Sequence, residues 1–386
     1  MLRSIYILTI LYIGFIPLEA VTIADGITMG RIVFFLMFGA SLFKAKICYK
    51  IDRKNKHFKY LLLFSIFCFF SILWSRDFAM TLDRSAYLIQ YLIITIVSTN
   101  ILNSRKKISW AMIAYIAGCL YIGYISYKEF GLFASERMSY RGDMTAGNPN
   151  ENAFLINYAI IFLLIFWNWL DSSEKLKRYL CAVIILIFSC IILLLGSRNG
   201  LIMLVSTFLM YSIPTIFKRG GLQSFLILSL LIGFTIYMFY GLPEELQERY
   251  MGIKSQIEDN EMAGRGYIWA KAIDMISQPG FPILWGTGWG SFVSVFNSYA
   301  GMSIGAHNFY LSLIVTTGII GFTIVMIYLA SLFRYVKQSN YTNKHLYYLL
   351  IIIPMISMTT TNWEFRKWWF VISIFIYSFY KLRSKK

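Results

Sequence analysis

Long apolar runs separated by short polar segments fill most of this chain of 386 residues. A helix needs about 20 predominantly apolar residues to cross the roughly 30 Å hydrocarbon core of a bilayer. The runs that approach this length are 4–21, 27–45, 59–75, 85–103, 108–127, 152–170, 179–196, 200–217, 222–241, 308–334, 346–362 and 368–381. They predict an all-α integral membrane protein, a single multi-span membrane domain over residues 1–386 with about 12 transmembrane helices.

Two long polar segments interrupt this pattern. Residues 128–151 are predicted to form a first outer loop, and residues 242–307 a large outer loop between spans 9 and 10. The larger loop has the length for two or three short helices, so we expect it to be partly helical. One apolar stripe at helical spacing stands out within it, made of Ile268, Trp269, Ala272, Ile273 and Ile276. Such a helix fits the membrane interface and fits equally well against its own bundle.

The basic residues give the predicted orientation. Placing the N-terminus in the cytoplasm puts most of the 36 Lys and Arg residues on the cytoplasmic side, although the other side has the longer loops. This asymmetry follows the positive-inside rule. The sequence therefore predicts a multi-pass protein with both termini in the cytoplasm and both long loops outside.

Composition excludes several classes of protein. A chain that is 58% hydrophobic and only 14% charged is too apolar for a soluble domain. The formal net charge of +17 does not indicate a nucleic-acid partner, because the basic residues lie in short clusters between apolar runs. The five cysteines are an odd number, and none lies in the long polar loops, which argues against disulfides and against a metal cluster.

Two arginines are candidates for binding an anion. Arg198 lies in Gly196-Ser-Arg-Asn-Gly200, at the outer end of two apolar runs, and Arg265 lies on a glycine-flanked segment of the large loop. An outer arginine runs against the positive-inside bias and needs a partner. For a lone arginine, snorkelling to lipid phosphate or pairing with a loop carboxylate is as good an explanation as a role in substrate binding. Two guanidinium groups on one side suit a diphosphate, because each offers a planar fork of donors.

His307 is the candidate base. It lies where the large polar loop meets the next apolar run, whereas the other two histidines, His57 and His345, fall in cytoplasmic basic loops. A lone histidine is more often structural. Its ordinary pKa of about 6.5 nevertheless allows an imidazole to accept a proton at neutral pH.

Two other kinds of site are set aside. Gly286-Thr-Gly-Trp-Gly290 is rich in glycine, but no nucleotide-binding strand and helix flank it, so a tight turn is favoured over a phosphate cradle. The outer loops contain no Asp-x-Asp pair and no His or Cys ligand spacing, so no metal site is predicted.

The order of these motifs resembles a known family. Gly147-Asn-Pro-Asn precedes a span, Ser197-Arg-Asn-Gly200 joins two spans, and Gly264-Arg265 follows with a tryptophan four residues on. Gly286-Thr-Gly-Trp-Gly-Ser-Phe292, His307-Asn308-x-Tyr-Leu311 and Gly318-Ile-Ile-Gly321 complete the series. Together, over residues 145–325, they resemble the O-antigen polymerase and O-antigen ligase superfamily of bacterial membrane glycosyltransferases.

The resemblance implies a GT-C-like fold in the bacterial cytoplasmic (inner) membrane, with an active site facing the periplasm. Donor and acceptor would be oligosaccharides linked to undecaprenyl diphosphate. By position, Arg198 and Arg265 would bind the diphosphate and His307 would activate the acceptor hydroxyl, with inversion at the anomeric carbon. No cofactor, metal ion or nucleotide sugar would be needed. Asn308, Tyr267 and Trp289 are candidate substrate contacts, although packing is the commoner role for aromatic residues in such a chain.

The resemblance leaves the acceptor open. A polymerase joins lipid-linked repeat units to one another, whereas a ligase transfers the glycan to lipid A-core. We favour an O-antigen or capsular polymerase, because the many aromatic residues and the motif-free first five spans fit the divergent polymerases. A chain-length regulator and a flippase in the same membrane are candidate partners. A flippase or exporter for lipid-linked oligosaccharides is the alternative from another class, but it should show mid-membrane charges and an internal repeat.

Overall fold

The computed structural model describes residues 1–18, 22–24, 27–50, 56–130, 149–171, 173–218, 265–339, 343–359 and 367–383, with a few single positions between 233 and 248. Almost all of this is helical. The helices are α1 (Leu2–Phe15), α2 (Met29–Leu42), α3 (Ala45–Cys48), α4 (Lys56–Phe70), α5 (Phe78–Ile101), α6 (Arg105–Phe130), α7 (Pro149–Trp169), α8 (Lys175–Leu194), α9 (Arg198–Lys218), α10 (Arg265–Ser277), α11 (Phe292–Ala300), α12 (Phe309–Gln338), α13 (Lys344–Ser357) and α14 (Lys367–Arg383). A 3₁₀ turn, Ser71–Trp74, extends α4, and two short antiparallel strands, β1 (Thr22–Ala24) and β2 (Ile27–Thr28), precede α2.

The apolar runs predicted the helices well. Eleven of the twelve runs coincide with a helix, and the run 222–241 lies almost wholly outside the described residues. Within the described part, four segments are long and apolar enough to cross a membrane, namely Arg105–Ile125, Pro149–Trp169, Lys175–Leu194 and Phe309–Gln338. A helical protein with several helices suited to membrane spans is therefore confirmed. The total of about 12 spans and their orientation stay predictions.

The chain divides into two compact units. The first consists of Met1–Phe43, Leu102–Ile253 and Tyr341–Ile353, and the second of Lys44–Ile101, Lys254–Asn340 and Pro354–Lys386. The single multi-span domain over residues 1–386 stays a prediction.

The first unit is built around α7. Every residue of α7 from Asn152 to Ile165 is buried, because α6, α8 and α9 pack against it. On another face of α6, α1 approaches closely at two small residues. A Cβ atom placed on Gly118 would lie 2.3 Å from the carbonyl oxygen of Gly14, so glycine is needed at this crossing.

The second unit pairs α4 with α12 and α5 with α14. The hydroxyl groups of Tyr328 on α12 and Ser373 on α14 lie 2.5 Å apart in its buried interior. The helices α10 and α11 belong to this unit and come from the large predicted outer loop, of which residues 265–307 are described. The predicted partly helical character of this loop is thus seen in its second half. Residues 131–148 of the first predicted loop lie outside the described residues.

Candidate functional site

The helix α10 begins at Arg265 and buries an apolar face against its own unit. Ile268, Ala272 and Met275 form a buried cluster with side chains of α11 and of residues 306–315. The predicted apolar stripe therefore packs within the protein. One member was placed wrongly, because Ile273 is 57% exposed and Met275 takes the buried position instead.

The tryptophan of this stripe connects α10 to the segment that carries the candidate base. The indole Nε1–H of Trp269 donates a hydrogen bond of 2.8 Å to the carbonyl oxygen of Ala306. That carbonyl belongs to the peptide bond joining Ala306 to His307. Arg265 precedes Trp269 by four residues, so their Cβ atoms lie about 5–6 Å apart on one face of the helix. The helix that begins at Arg265 is thus hydrogen-bonded to the backbone directly before His307.

His307 has an unusual backbone conformation. Its φ angle is +47°, and it is the one non-glycine residue with a positive φ in the part of the chain that the structure describes. This left-handed conformation is rare for residues with a side chain and costs on the order of 1–3 kcal/mol. Neighbouring contacts must therefore hold it in place.

Those contacts lie at the start of α12. The side chain of Asn308 caps the helix by accepting a hydrogen bond of 3.1 Å from the amide of Leu311. The next amide, that of Phe309, donates to the carbonyl oxygen of Met358 at 2.9 Å. With the bond from Trp269, the backbone is fixed on both sides of His307. Asn308 thus has a structural role, and its role as a substrate contact stays a prediction.

Further along, α12 is broken at Gly318. This residue has φ 64° and ψ −170°, a conformation essentially restricted to glycine. Such a break leaves backbone donors and acceptors without helical partners, and in hydrocarbon each unsatisfied group costs several kcal/mol. The amides of Ile319 and Ile320 instead donate to the carbonyl oxygens of Ile283 and Leu284, at 2.9 and 3.0 Å.

The glycine-rich segment supplies the complementary donors. The amides of Thr287 and Gly288 donate to the carbonyl oxygens of Val315 and Thr316, each at 3.0 Å. A Cβ atom at Gly286 would lie 2.4 Å from the backbone of Thr316, so this close pairing requires glycine. We call residues 281–291 the clasp segment. The predicted tight turn is present, with positive φ at Gly286, Gly288 and Gly290. Its amides donate hydrogen bonds to carbonyl groups of α12 just before the break.

The clasp segment is held by residues that no sequence motif indicated. The amide of Arg76 donates to the carbonyl oxygen of Thr287 at 2.9 Å, and the hydroxyl of Ser71 accepts from the amide of Trp289 at 3.0 Å. Asp77 accepts one hydrogen bond from the amide of Met80 and another from the hydroxyl of Ser294 on α11. Ser71, Arg76 and Asp77 lie in, or directly after, the third of the five spans that carried no motif. The charged Arg76-Asp77 pair at the end of an apolar run was the available signal.

The two aromatic candidates differ in environment. Tyr267 is 59% exposed, and the ammonium group of Lys271 lies 6.0 Å from the centre of its ring. Trp289 is only 3% exposed and packs edge-to-face on Phe64, with ring centres 5.4 Å apart. Its indole N–H has no hydrogen-bond partner among the described residues. As substrate contacts, both stay predictions.

One further contact ties α10 to α11. The phenol of Tyr299 donates a hydrogen bond of 2.5 Å to the carboxylate of Asp274. This bond to the carboxylate raises the pKa of Tyr299, because the neutral phenol is the form that can donate.

In the first unit, two of the motif segments meet. Arg198 begins α9 and is partly exposed. The hydroxyl of the preceding residue, Ser197, lies 2.7 Å from Oδ1 of Asn150 in α7, and it accepts from the amide of Gly200 at 3.0 Å. The side-chain amide of Asn157 donates to the carbonyl oxygen of Gly200 at 3.1 Å.

This network connects Asn150 and Asn157 of α7 to the Ser197-Arg-Asn-Gly200 segment, so the described end of the first motif and the second motif share one structural element. Arg198 belongs to the first unit, whereas Arg265 and His307 belong to the second. That Arg198, Arg265 and His307 come together in one site stays a prediction.

The fold and these contacts define a class, a multi-helical protein of the membrane type in which polar motifs gather at helix ends. Residues 182–326 match a family model described as O-antigen ligase. The match covers less than half of the chain and extends from α8 past the break in α12. It supports the O-antigen ligase and polymerase superfamily, which confirms the resemblance predicted from the motifs. No curated protein matches the chain.

Proposed function

We propose that this protein is a polymerase that joins oligosaccharide repeat units carried on undecaprenyl diphosphate, at the outer face of the bacterial cytoplasmic membrane. The family match supports the class of activity, because the matched residues contain Arg198, Arg265 and His307. The apolar helices support a membrane location. The product would be an O-antigen or a capsular polysaccharide.

In the proposed reaction, the acceptor hydroxyl attacks the anomeric carbon of the donor sugar, and the bond from that carbon to the diphosphate oxygen breaks. Negative charge grows on the departing lipid diphosphate. Fixed guanidinium groups at Arg198 and Arg265 stabilise this charge more in the transition state than in the ground state. His307 accepts the proton of the attacking hydroxyl, and attack from the face opposite the leaving group inverts the anomeric configuration.

The observation that carries this proposal is the backbone at His307. The chain holds a strained, left-handed residue between two fixed peptide groups, where the predicted outer loop 242–307 ends and α12 begins. Strained backbone persists where the surroundings over-determine it, and such positions cluster at active sites.

The test is a deletion strain that carries His307→Ala. Loss of the base predicts that single lipid-linked repeat units accumulate at the outer leaflet, with unchanged protein abundance. His57→Ala is the matched control, because it removes an imidazole from a predicted cytoplasmic loop, and it should restore polymer. Accumulation of the units in the cytoplasmic leaflet instead would overturn the enzyme assignment in favour of a flippase.

A ligase is the second candidate, and the description of the matched family favours it. The surface glycan of a deletion strain separates the two activities. A single repeat unit attached to the lipid A-core indicates that a polymerase was lost. Bare core together with lipid-linked polymer indicates that a ligase was lost.

A further inference from the structure

The clasp segment carries an exposed apolar surface. Ile283, Leu284 and Trp285 are 38%, 51% and 46% exposed, although the glycine-rich turn that follows them is buried. Three consecutive exposed apolar residues are unusual on a surface that faces water, because contiguous apolar patches mark contact with a partner or with lipid.

This surface continues onto a membrane-spanning helix. The carbonyl groups of Ile283 and Leu284 accept hydrogen bonds from Ile319 and Ile320 of α12, whose side chains are 47% and 44% exposed. The helix α12 is one of the segments long and apolar enough to cross a membrane. Exposed apolar side chains on such a helix face hydrocarbon, so the residues bonded to it share that environment.

The length of α12 gives the depth of this surface. Arg334 is the first charged residue along α12 after the break, and it lies fifteen positions after Ile319. At a rise of 1.5 Å per residue this distance is about 22 Å. With Arg334 at one headgroup layer, Ile319 lies within the opposite half of a hydrocarbon core of about 30 Å.

The charged side chain of Arg76 indicates where the lipid headgroup layer lies near the clasp segment. The amide of Arg76 binds the carbonyl of Thr287, and the Arg76 side chain is exposed between two exposed apolar residues, Leu73 and Phe78. A guanidinium group beside apolar side chains fits the headgroup layer, with its charge towards water and phosphate. The clasp segment thus runs from this layer into the adjoining hydrocarbon.

We infer that Ile283, Leu284 and Trp285 are seated in the leaflet opposite Arg334, where the acyl chains of bilayer phospholipids cover them. Residues within the predicted aqueous loop 242–307 therefore contact lipid. Since the same segment donates to Val315 and Thr316, its lipid contact also supports the first half of α12, at whose start His307 lies.

Depth-dependent fluorescence quenching tests this inference on the full-length chain. Leu284→Cys is labelled with a maleimide fluorophore and reconstituted in nanodiscs of phosphatidylethanolamine and phosphatidylglycerol. The matched control is Ser298→Cys on α11, which is also exposed. The wild-type chain, with its five cysteines, gives the background. Phospholipids spin-labelled on their acyl chains should quench the label at 284 several-fold more than the label at 298, and iodide should quench mainly the latter.

Equal quenching of both labels by iodide would overturn the inference. Quenching at 284 that requires an added isoprenoid diphosphate would also overturn it, because the surface would then hold a substrate tail and not bilayer lipid. If Leu284→Cys does not purify as a monodisperse protein, Ile283→Cys carries the same measurement. The readout does not depend on glycosyl transfer, so failure here is distinguishable from failure of the proposed function.

Discussion

His307 shows how a single residue can be recognised from both sequence and structure. Its position at a polar-to-apolar junction made it a candidate, and its positive φ distinguishes it from the other non-glycine residues that the structure describes. Histidine, like asparagine and aspartate, is found in the left-handed region more often than other side chains, but glycine adopts this region at less cost. The need for an imidazole at this position stays a prediction, which substitutions can test.

Substitutions at His307 can separate imidazole from backbone. His307→Asn keeps a residue that tolerates the left-handed region but removes the base, so we expect polymer formation to fall by about 10²–10⁴-fold. His307→Gly should lose activity equally while raising stability by about 1 kcal/mol, because glycine relieves the strain. Activity is measured on lipid-linked repeat units, and stability by thermal unfolding in detergent. Retained activity in His307→Asn would show that the backbone conformation and not proton transfer is required.

Arg265 provides a second test at this scale. Arg265→Ala should remove most activity without lowering the amount of inserted protein. Arg265→Lys should restore only part of it, because an ammonium group lacks the two-pronged geometry that matches phosphate oxygens. Lys271→Ala on the same helix is the control for a general loss of positive charge. Full activity in Arg265→Lys would mean that charge alone is sufficient.

The candidate residues could be chosen from sequence because charge at the edge of an apolar run is costly and visible. The left-handed φ of His307 could not, because it depends on Trp269 and Met358, which are distant along the chain. The role of Arg76 and Asp77 escaped notice for the same reason. The charged pair at the end of an apolar run was visible, but Thr287 and Ser294, which Arg76 and Asp77 bind, lie more than 200 residues away, so the sequence did not indicate what the pair holds.

The broken α12 is the main feature at the scale of elements. Its freed backbone groups pair with the clasp segment on both sides of Gly318, so the break and the clasp segment form one structural element. The sequence predicted the helix from its apolar run, but Gly318-Ile-Ile-Gly321 suggested close helix packing. Close helix packing and a break in a helix both favour glycine. The hydrogen bonds between α12 and the clasp segment are what distinguish the two.

Alanine substitution should measure the importance of this pairing. In Gly318→Ala the new Cβ would lie 2.4 Å from the backbone of Leu284, on a residue with φ 64° and ψ −170°. Gly301→Ala is the matched control, because Gly301 has φ 68° but a Cβ atom added there would meet no neighbouring atom within 4 Å. The left-handed backbone at Gly301, with ψ 16°, costs alanine about 1–2 kcal/mol, whereas at Gly318 alanine meets a conformation essentially restricted to glycine and overpacking of about 1–3 kcal/mol. Gly318→Ala should therefore lower the unfolding temperature well beyond Gly301→Ala, and equal shifts would contradict the pairing.

The contact between α10 and the His307 peptide can be tested in the same way. Trp269→Phe keeps a large aromatic ring but removes the N–H that donates to Ala306. Loss of one such hydrogen bond costs about 1 kcal/mol. We expect a small drop in unfolding temperature together with a clear drop in turnover, because His307 loses one of its two fixed neighbours. An unchanged turnover would show that the bond serves stability alone.

At the scale of the whole molecule, the sequence identified the class of protein and most of its helices. Hydrophobic length determines where helices cross a bilayer, and this physical rule needs no knowledge of tertiary structure. The division into two compact units was not predicted. Each unit combines segments distant in sequence, so no local change of composition marks its boundaries.

The predicted orientation can be measured with reporter fusions. Alkaline phosphatase fused after Gly301 should be active, because the loop 242–307 is predicted to face the periplasm. The same reporter fused after Lys386 should be inactive, and a fluorescent protein fused there should be bright, because the C-terminus is predicted to be cytoplasmic. The reverse pattern at either site would overturn the positive-inside assignment.

The pairing at Gly318 also bears on how the protein is made. The clasp segment, Ser71 and Arg76 all precede α12 in the chain, so they leave the ribosome first. When the interrupted helix enters the bilayer, complementary amides and carbonyls have therefore already been synthesised nearby. A reordered gene that places residues 265–300 after α12 would expose those groups to lipid during biosynthesis, and we expect quality-control proteases to degrade its product.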